Sequence, residues 1–405
     1  MAEKEEFSPV PGDIPVTMGE EIQKRKPVIK ESLAPVLTLM KLFGLYYEDT
    51  CEKIGWKKIW NKSSKIYSII MLLVFMTAVG KSVAALFYQS NKDGYYTAAI
   101  FIIYYFKCTV QIYACLKISP CSQTCVLWTF IDRVQTFLDD IKLCHCRKVE
   151  NNFRSKLKRW LYAFVGIFFT CVAANVFVLF YPLKELDMVL SKLVSPLPDT
   201  FGVYAARTVF EVFVLATWFL PVALCGVLTQ SISYIFEEFF RYLKHRKMNG
   251  LCLRTYIKEI REKYVAMTTM CSDLDDMLSY IFMISYLTDI VLVCLELRMC
   301  VVSVGSLVSR FLVLFWCVPS LFSLVTLSYY SSRLVEKGEE MLQYIQKVDI
   351  YNVDMDAKVQ LDLLLFHLSA QPVVLTIWKM IPLYKSIIVS IFVSIITYFT
   401  ILIAF

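Results

Sequence analysis

Two sets of polar residues stand inside otherwise apolar stretches. The first is a column of hydroxyls near the end of the sequence: Ser386, Ser390, Ser394 and Thr397, at spacings of four, four and three. On a helix that spacing lines one face. The face continues through Ile401 to Ala404 and Phe405. Hydroxyls wet the wider part of a pore, and a ring of large apolar side chains closes it by dewetting. The same spacing is also a small-residue face that lets two helices approach closely. Spacing alone leaves both readings open.

The second set is scattered over five apolar runs. Tyr104, Tyr105, Asn175, Arg207 and Glu211 belong to it, as do Trp218, Asp289, Glu296, Arg298 and Trp316. A charged side chain within a bilayer costs about 2.5–3.5 kcal/mol on insertion scales, so it has a partner or a task. Glu211 and Glu296 can pair with Arg207 or Arg298, a structural role. They can instead face a polar cavity that takes a small molecule. Trp218 and Trp316, taken singly, suit core packing as well as a ligand wall.

The elements that carry these residues follow from composition. The 405 residues are 57% hydrophobic and only 19% charged, with a mean hydropathy of +0.56. Soluble chains carry charge on about a quarter of their residues. Apolar runs near 20 residues, long enough to cross a bilayer as helices, recur at 66–88, 95–116, 160–182, 206–232, 278–304, 308–332 and 381–405. The chain reads as an all-α membrane protein with seven transmembrane helices.

Lysine and arginine orient it. Residues 1–65 hold 11, and the long connections 117–159, 233–277 and 333–380 hold 9, 8 and 5; the short ones on the other side, 89–94, 183–205 and 305–307, hold 1, 2 and 0. Positive charge stays in the cytoplasm. The N-terminus is therefore expected inside and Phe405 outside, with no cleavable leader in "MAEKEEFSPVPGDIP". G-protein-coupled receptors have the opposite orientation. Asp132-Arg133 stands in mid-connection rather than at the end of a span and does not support that class. The sequon Asn61-Lys62-Ser63 falls on the inner side and is expected to be unused.

Four units result. Residues 1–65 form a cytoplasmic segment with an amphipathic helix: Leu33, Val36, Leu37, Met40 and Leu45 lie near helical spacing. Residues 66–332 form a six-helix bundle with cytoplasmic helical extensions at 117–159 and 233–277. Residues 333–380 are further cytoplasmic helices, and 381–405 are the last span. The extensions carry sustained apolar faces and are expected to pack into one cytoplasmic body rather than remain solvated. Cys144-His145-Cys146 with Cys121 and Cys125 lacks a second, properly spaced pair for metal. No phosphate-cradling loop or nucleophile elbow is present. Neither an enzyme, a cofactor nor a nucleic-acid partner is indicated.

The terminal "TYFTILIAF" resembles the seventh-span signature of the insect-type gustatory receptor family, related to insect olfactory receptors: Thr-Tyr, five mostly apolar residues, then Gln-Phe. Thr397, Tyr398 and Phe405 match, and Ala404 stands where the family has Gln. The preceding "LLLFHLSAQPVVLTIWKMIPLYKSIIVSIFVSIITYF" resembles that family's two-part final helix, broken near Ile381-Pro382. The resemblance implies a homo- or heterotetrameric, ligand-gated, non-selective cation channel in the plasma membrane. The inner helices would form its anchor, and a small organic ligand would sit in each subunit's outer bundle. It implies that Ser390, Ser394 and Thr397 line the pore and that Ile401, Ala404 and Phe405 form its constriction. Tyr398 and Thr400 point away from the stripe and are expected to hold the helix against its neighbours. The competing classes are a metabotropic seven-helix receptor and a monomeric transporter. Transporters often show an internal repeat, and none is visible.

Overall fold

The computed structural model describes residues 28–47, 56–87, 92–119, 126–141, 147–180, 201–245, 253–303, 307–347, 355–370 and 372–404. The described helices are α1 (Val28–Leu42), α2 (Trp56–Phe87), α3 (Lys92–Ile118), α4 (Val126–Ile141), α5 (Arg147–Phe180) and α6 (Phe201–His245). They continue as α7 (Leu253–Arg298), α8 (Leu307–Gln346), α9 (Met355–Ala370) and α10 (Lys385–Ala404). A π-helical turn, Met299–Ser303, closes α7. A two-stranded antiparallel hairpin, β1 (Thr376–Ile377) and β2 (Ile381–Pro382), precedes α10.

Seven of these helices (α2, α3, α5, α6, α7, α8 and α10) are long and apolar enough to cross a membrane. α6 is the axis of the bundle. It is apolar all round, as a central helix must be, and 89% of its most apolar window is buried, against 17% for α2 and 11% for α10. α5, α7 and α8 pack around α6, with Phe164, Phe219 and Phe322 interlocked at ring distances of 5.4–6.1 Å. The closest approach is at Gly226, where a β-carbon would lie 2.7 Å from the Trp160 ring.

The remaining helices pack on the spans and on their long extensions, and Phe43, at the end of α1, lies against Phe168 of α5 and Phe213 of α6. α1 buries Ile29, Leu33, Val36, Leu37 and Met40. It ends in a Schellman cap: Leu45 N–H donates to Met40 O and Gly44 N–H to Lys41 O, with Gly44 at φ +72°. The charged connection 117–159 contains a separate helix, α4, whose apolar face buries Leu127, Phe130, Ile131, Val134, Phe137, Leu138 and Ile141. The third membrane helix begins at Arg147, earlier than the expected 160, because its basic first turns are an extension of the span. α6, α7 and α8 run past the apolar zone and join through Tyr242 donating to Glu259 at 2.8 Å and Phe240 against Tyr344 at 5.1 Å. α9 adds Leu361, Leu364 and Leu368 to the same core.

The last span begins at Lys385, not at 381. Residues 381–382 are instead a strand, because Pro382 cannot continue a helix ladder and pairs across the hairpin with Thr376. The turn is tight: Met380 N–H donates to Ile377 O at 3.0 Å, and Trp378 and Lys379 take φ of 51° and 58°. Non-glycine residues pay roughly 1–2 kcal/mol each for this region, so contacts elsewhere must hold the turn. They come from α7. Asp275 accepts from the Thr376 backbone N–H at 2.6 Å and from its hydroxyl at 2.8 Å, and Asp276 pairs with Lys379.

Candidate functional site

The expected binding residues fall into groups along α3, α6 and α7. The centre of the first is an ion pair absent from the sequence expectation. Lys107 of α3, fully buried, meets Asp289 of α7, also fully buried, at 2.5 Å. The Lys107 ammonium lies 4.1 Å from the centre of the Trp218 ring on α6. Tyr104 packs edge-on against Trp218 at 4.4 Å. Tyr105, the next residue, donates to Glu211 at 3.5 Å and lies 5.7 Å from Phe210, which in turn reaches Phe75 of α2 at 5.2 Å. One helical turn along, Gln111 donates to Ser285 at 3.4 Å, repeating the α3–α7 contact.

The structure thus brings together Tyr104, Tyr105, Glu211, Trp218 and Asp289. Arg207 lies one turn before Glu211 and interacts with it electrostatically. The other expected partners are reassigned. Arg298 does not pair with Glu211 or Glu296: its Nε donates to Leu402 O of α10 at 3.0 Å, and its guanidinium lies 3.6 Å from the centre of the Tyr96 ring on α3. Residues 296 and 298 are two apart on a helix and project in different directions. Glu296 is buried beside Cys317 of α8. Trp316 is half-buried on α8, outside the aromatic set just described. Asn175 is on α5, and its side chain lies outside the described residues, as do Phe405 and the cysteines at 121, 125, 144 and 146.

Lys107 was legible as a lone lysine within "IFIIYYFKCTV", but its partner lies 182 residues away. The cluster combines an aromatic wall with incompletely satisfied polar atoms. Trp218 Nε1 and Gln111 Oε1 are buried without a hydrogen-bond partner among the described residues, and Asp289 Oδ2 lies near Ser323 without completing a bond. Buried polar atoms are almost always satisfied. Such a set can therefore accept hydrogen bonds from, and donate them to, a small polar guest or ordered water.

The second candidate element is α10. Its buried side is Ile395 with the half-buried Ile387, Ile391 and Leu402, all packed on the core. Ser386, Ser390, Thr397 and Ile401 are exposed, and Ser394 is half-buried at the edge. Tyr398 and Thr400 are also exposed, so within this chain they do not hold the helix, and the isoleucine side does. The hydroxyls of Ser390 and Thr397 donate to carbonyls one turn back, Ser386 O and Val393 O, which satisfies them without a neighbouring helix. α7 grips α10 near its end through two carbonyls: Cys294 Sγ lies 3.7 Å from Ile395 O, and Arg298 holds Leu402 O. Ala404 is the last helical residue, its side chain outside the description.

Comparison with known proteins bears on the whole chain. No curated protein matches it by sequence. Among solved structures, the insect olfactory receptor OR5 from Machilis hrabei superposes with a TM-score of 0.66 at 11% identity, covering 92% of this chain and 98% of that one. The same receptor in complex with eugenol gives 0.68 at 12% identity, covering 93% and 98%. These identities speak for the fold alone. The model of the 7tm chemosensory receptor family, however, matches residues 33–405. The chain belongs to the seven-transmembrane chemosensory receptor family.

Proposed function

We propose that this protein is a subunit of a ligand-gated, non-selective cation channel of the gustatory type, assembled as a homo- or heterotetramer in the plasma membrane. Its N-terminus faces the cytoplasm. α10 of each subunit lines a central pore, with Ser390, Ser394 and Thr397 along the conduit and Ile401, Ala404 and Phe405 at the gate. The observation that carries this reading is the two-sidedness of α10. One side, with Ile387, Ile391, Ile395 and Leu402, packs on the subunit, while the opposite side, which carries Ser386, Ser390 and Thr397, is left uncovered by the described residues. A small-residue face that served packing within the subunit would be covered. The membership in a chemosensory family supports the same reading.

The ligand is a small organic molecule in the outer half of the bundle, against Tyr104, Tyr105, Trp218 and Glu211. The aromatic wall and the unsatisfied Trp218 Nε1 and Gln111 Oε1 suit a guest with an apolar body and few polar groups. The similar olfactory receptor is described in complex with eugenol, a molecule of that character.

The decisive experiment combines imaging and recording of the purified full-length protein in lipid. A symmetric tetramer with residues 394–405 around the axis, together with ligand-evoked current, is the expected result. Monomeric particles without current for any ligand tested, or an N-terminal epitope tag that is accessible in intact cells, would sink the proposal.

A further inference from the structure

About three helical turns along α3 from the aromatic cluster, toward Ile118, lies a cavity of about 500 Å³ between α3, α4 and α7. This is within the usual size of small-molecule sites. Its floor is apolar and buried: Ala114, Ile118, Phe130 and Met277. Its rim is charged and open: Lys117, Arg133, Asp273 and Asp276, with Thr129 at the mouth. The cavity stands level with the end of the apolar run of α3 at Ile118, where a membrane-spanning α3 would leave the bilayer.

The charges are of both signs. Arg133 pairs with Asp273 at 2.8 Å, and Asp276 pairs with Lys379. Lys117 is held differently. Its ammonium lies 4.9 Å from the centre of the Tyr113 ring and 5.1 Å from that of Tyr280, and both tyrosines are about half exposed. Tyrosines at this depth belong to the interfacial belt. A ring face attracts an ammonium but accepts little of its hydrogen-bonding capacity. Lys117 therefore keeps donors for an anion, and the two aspartates disfavour an anion without a cation attached.

We propose that this cavity binds a zwitterionic phosphate headgroup. Its phosphate is held by Lys117 and Arg133, its ammonium lies toward Asp276, and the adjoining chain runs onto the apolar floor. Asp276 also holds Lys379 of the hairpin that leads into α10, so occupancy acts on the foot of that helix. The binding does not depend on the channel reading; only its effect on opening does.

The test titrates full-length protein, purified in detergent, with short-chain dihexanoyl-phosphatidylcholine and counts bound molecules by native mass spectrometry. Saturable binding is expected. Lys117→Ala and Thr129→Trp should each weaken it by about tenfold or more, the loss of one charge-assisted hydrogen bond or of the space. Neither should shift the thermal unfolding of the protein. Thr129 is exposed, so its variant decides the matter if Lys117→Ala unfolds. A second arm offers soluble phosphocholine: competition at similar concentration identifies a soluble zwitterion as the occupant, and its failure identifies a membrane lipid. Undiminished binding to Thr129→Trp, or equal binding of phosphate-free dihexanoylglycerol, overturns the proposal.

Discussion

Two stretches of α7 carry charge in opposite ways. Toward its C-terminal end, Asp289, Glu296 and Arg298 are at most 5% exposed and lie among aromatic rings and helix backbone. Near its middle, Asp273, Asp275 and Asp276 lie at or near the surface and reach Arg133, Thr376 and Lys379. A buried charge that loses its partner is stranded in a low dielectric, whereas an exposed one is simply rehydrated. The first stretch therefore holds few contacts of large consequence. The second holds several of small consequence that together fix the position of a hairpin. One helix joins the candidate ligand site to both ends of α10.

The sharpest way to break this contrast is Asp289→Ala. It leaves Lys107 buried without its counter-ion and should cost about 3–5 kcal/mol, read as a large fall in the thermal stability of purified protein. Lys107→Met combined with Asp289→Leu should recover most of the loss, since replacing both partners by apolar groups is often neutral. Recovery failing entirely would show that the pair has a role beyond its own neutralisation.

Next in size is Arg298→Leu, which removes a charged hydrogen bond worth about 1.5–3 kcal/mol from the end of α10. If the closed state depends on it, resting current rises by about tenfold per 1.4 kcal/mol. Unchanged resting and evoked currents at normal expression would confine Arg298 to folding. Ile401→Ala should raise resting current severalfold by widening the proposed apolar ring, without altering stability, because Ile401 is exposed. The smallest effect is expected for Asp276→Asn. Both its partner and itself are more than half exposed, so stability should change by less than about 1 kcal/mol. A large destabilisation there would erase the distinction between the two stretches.

Much of this architecture was legible from the order of residues. The seven spans follow from runs too apolar for water, and α1 and the helical extensions follow from apolar residues three and four apart. The interruption before α10 was announced by Ile381-Pro382. What could not be read is pairing across distance. Arg298 offered two carboxylates as partners on grounds of charge alone, yet it binds a backbone carbonyl 104 residues away, and no charge pattern marks a carbonyl. The hairpin was hidden for a different reason. Its strands are two residues long, and its left-handed turn uses Trp378 and Lys379 rather than glycine, against local preference. Tertiary contacts from Asp275 and Asp276 impose it.

The grip of Arg298 on Leu402 has an electrostatic side as well. A helix ends in unpaired carbonyls that together act as roughly half a negative charge. In the proposed assembly, four such ends meet around one mouth and attract cations before any side chain does. The guanidinium at Leu402 screens part of that field in each subunit. In that assembly ion preference at the mouth would be set in part by a residue of the neighbouring helix, and neutralising it should favour cations further.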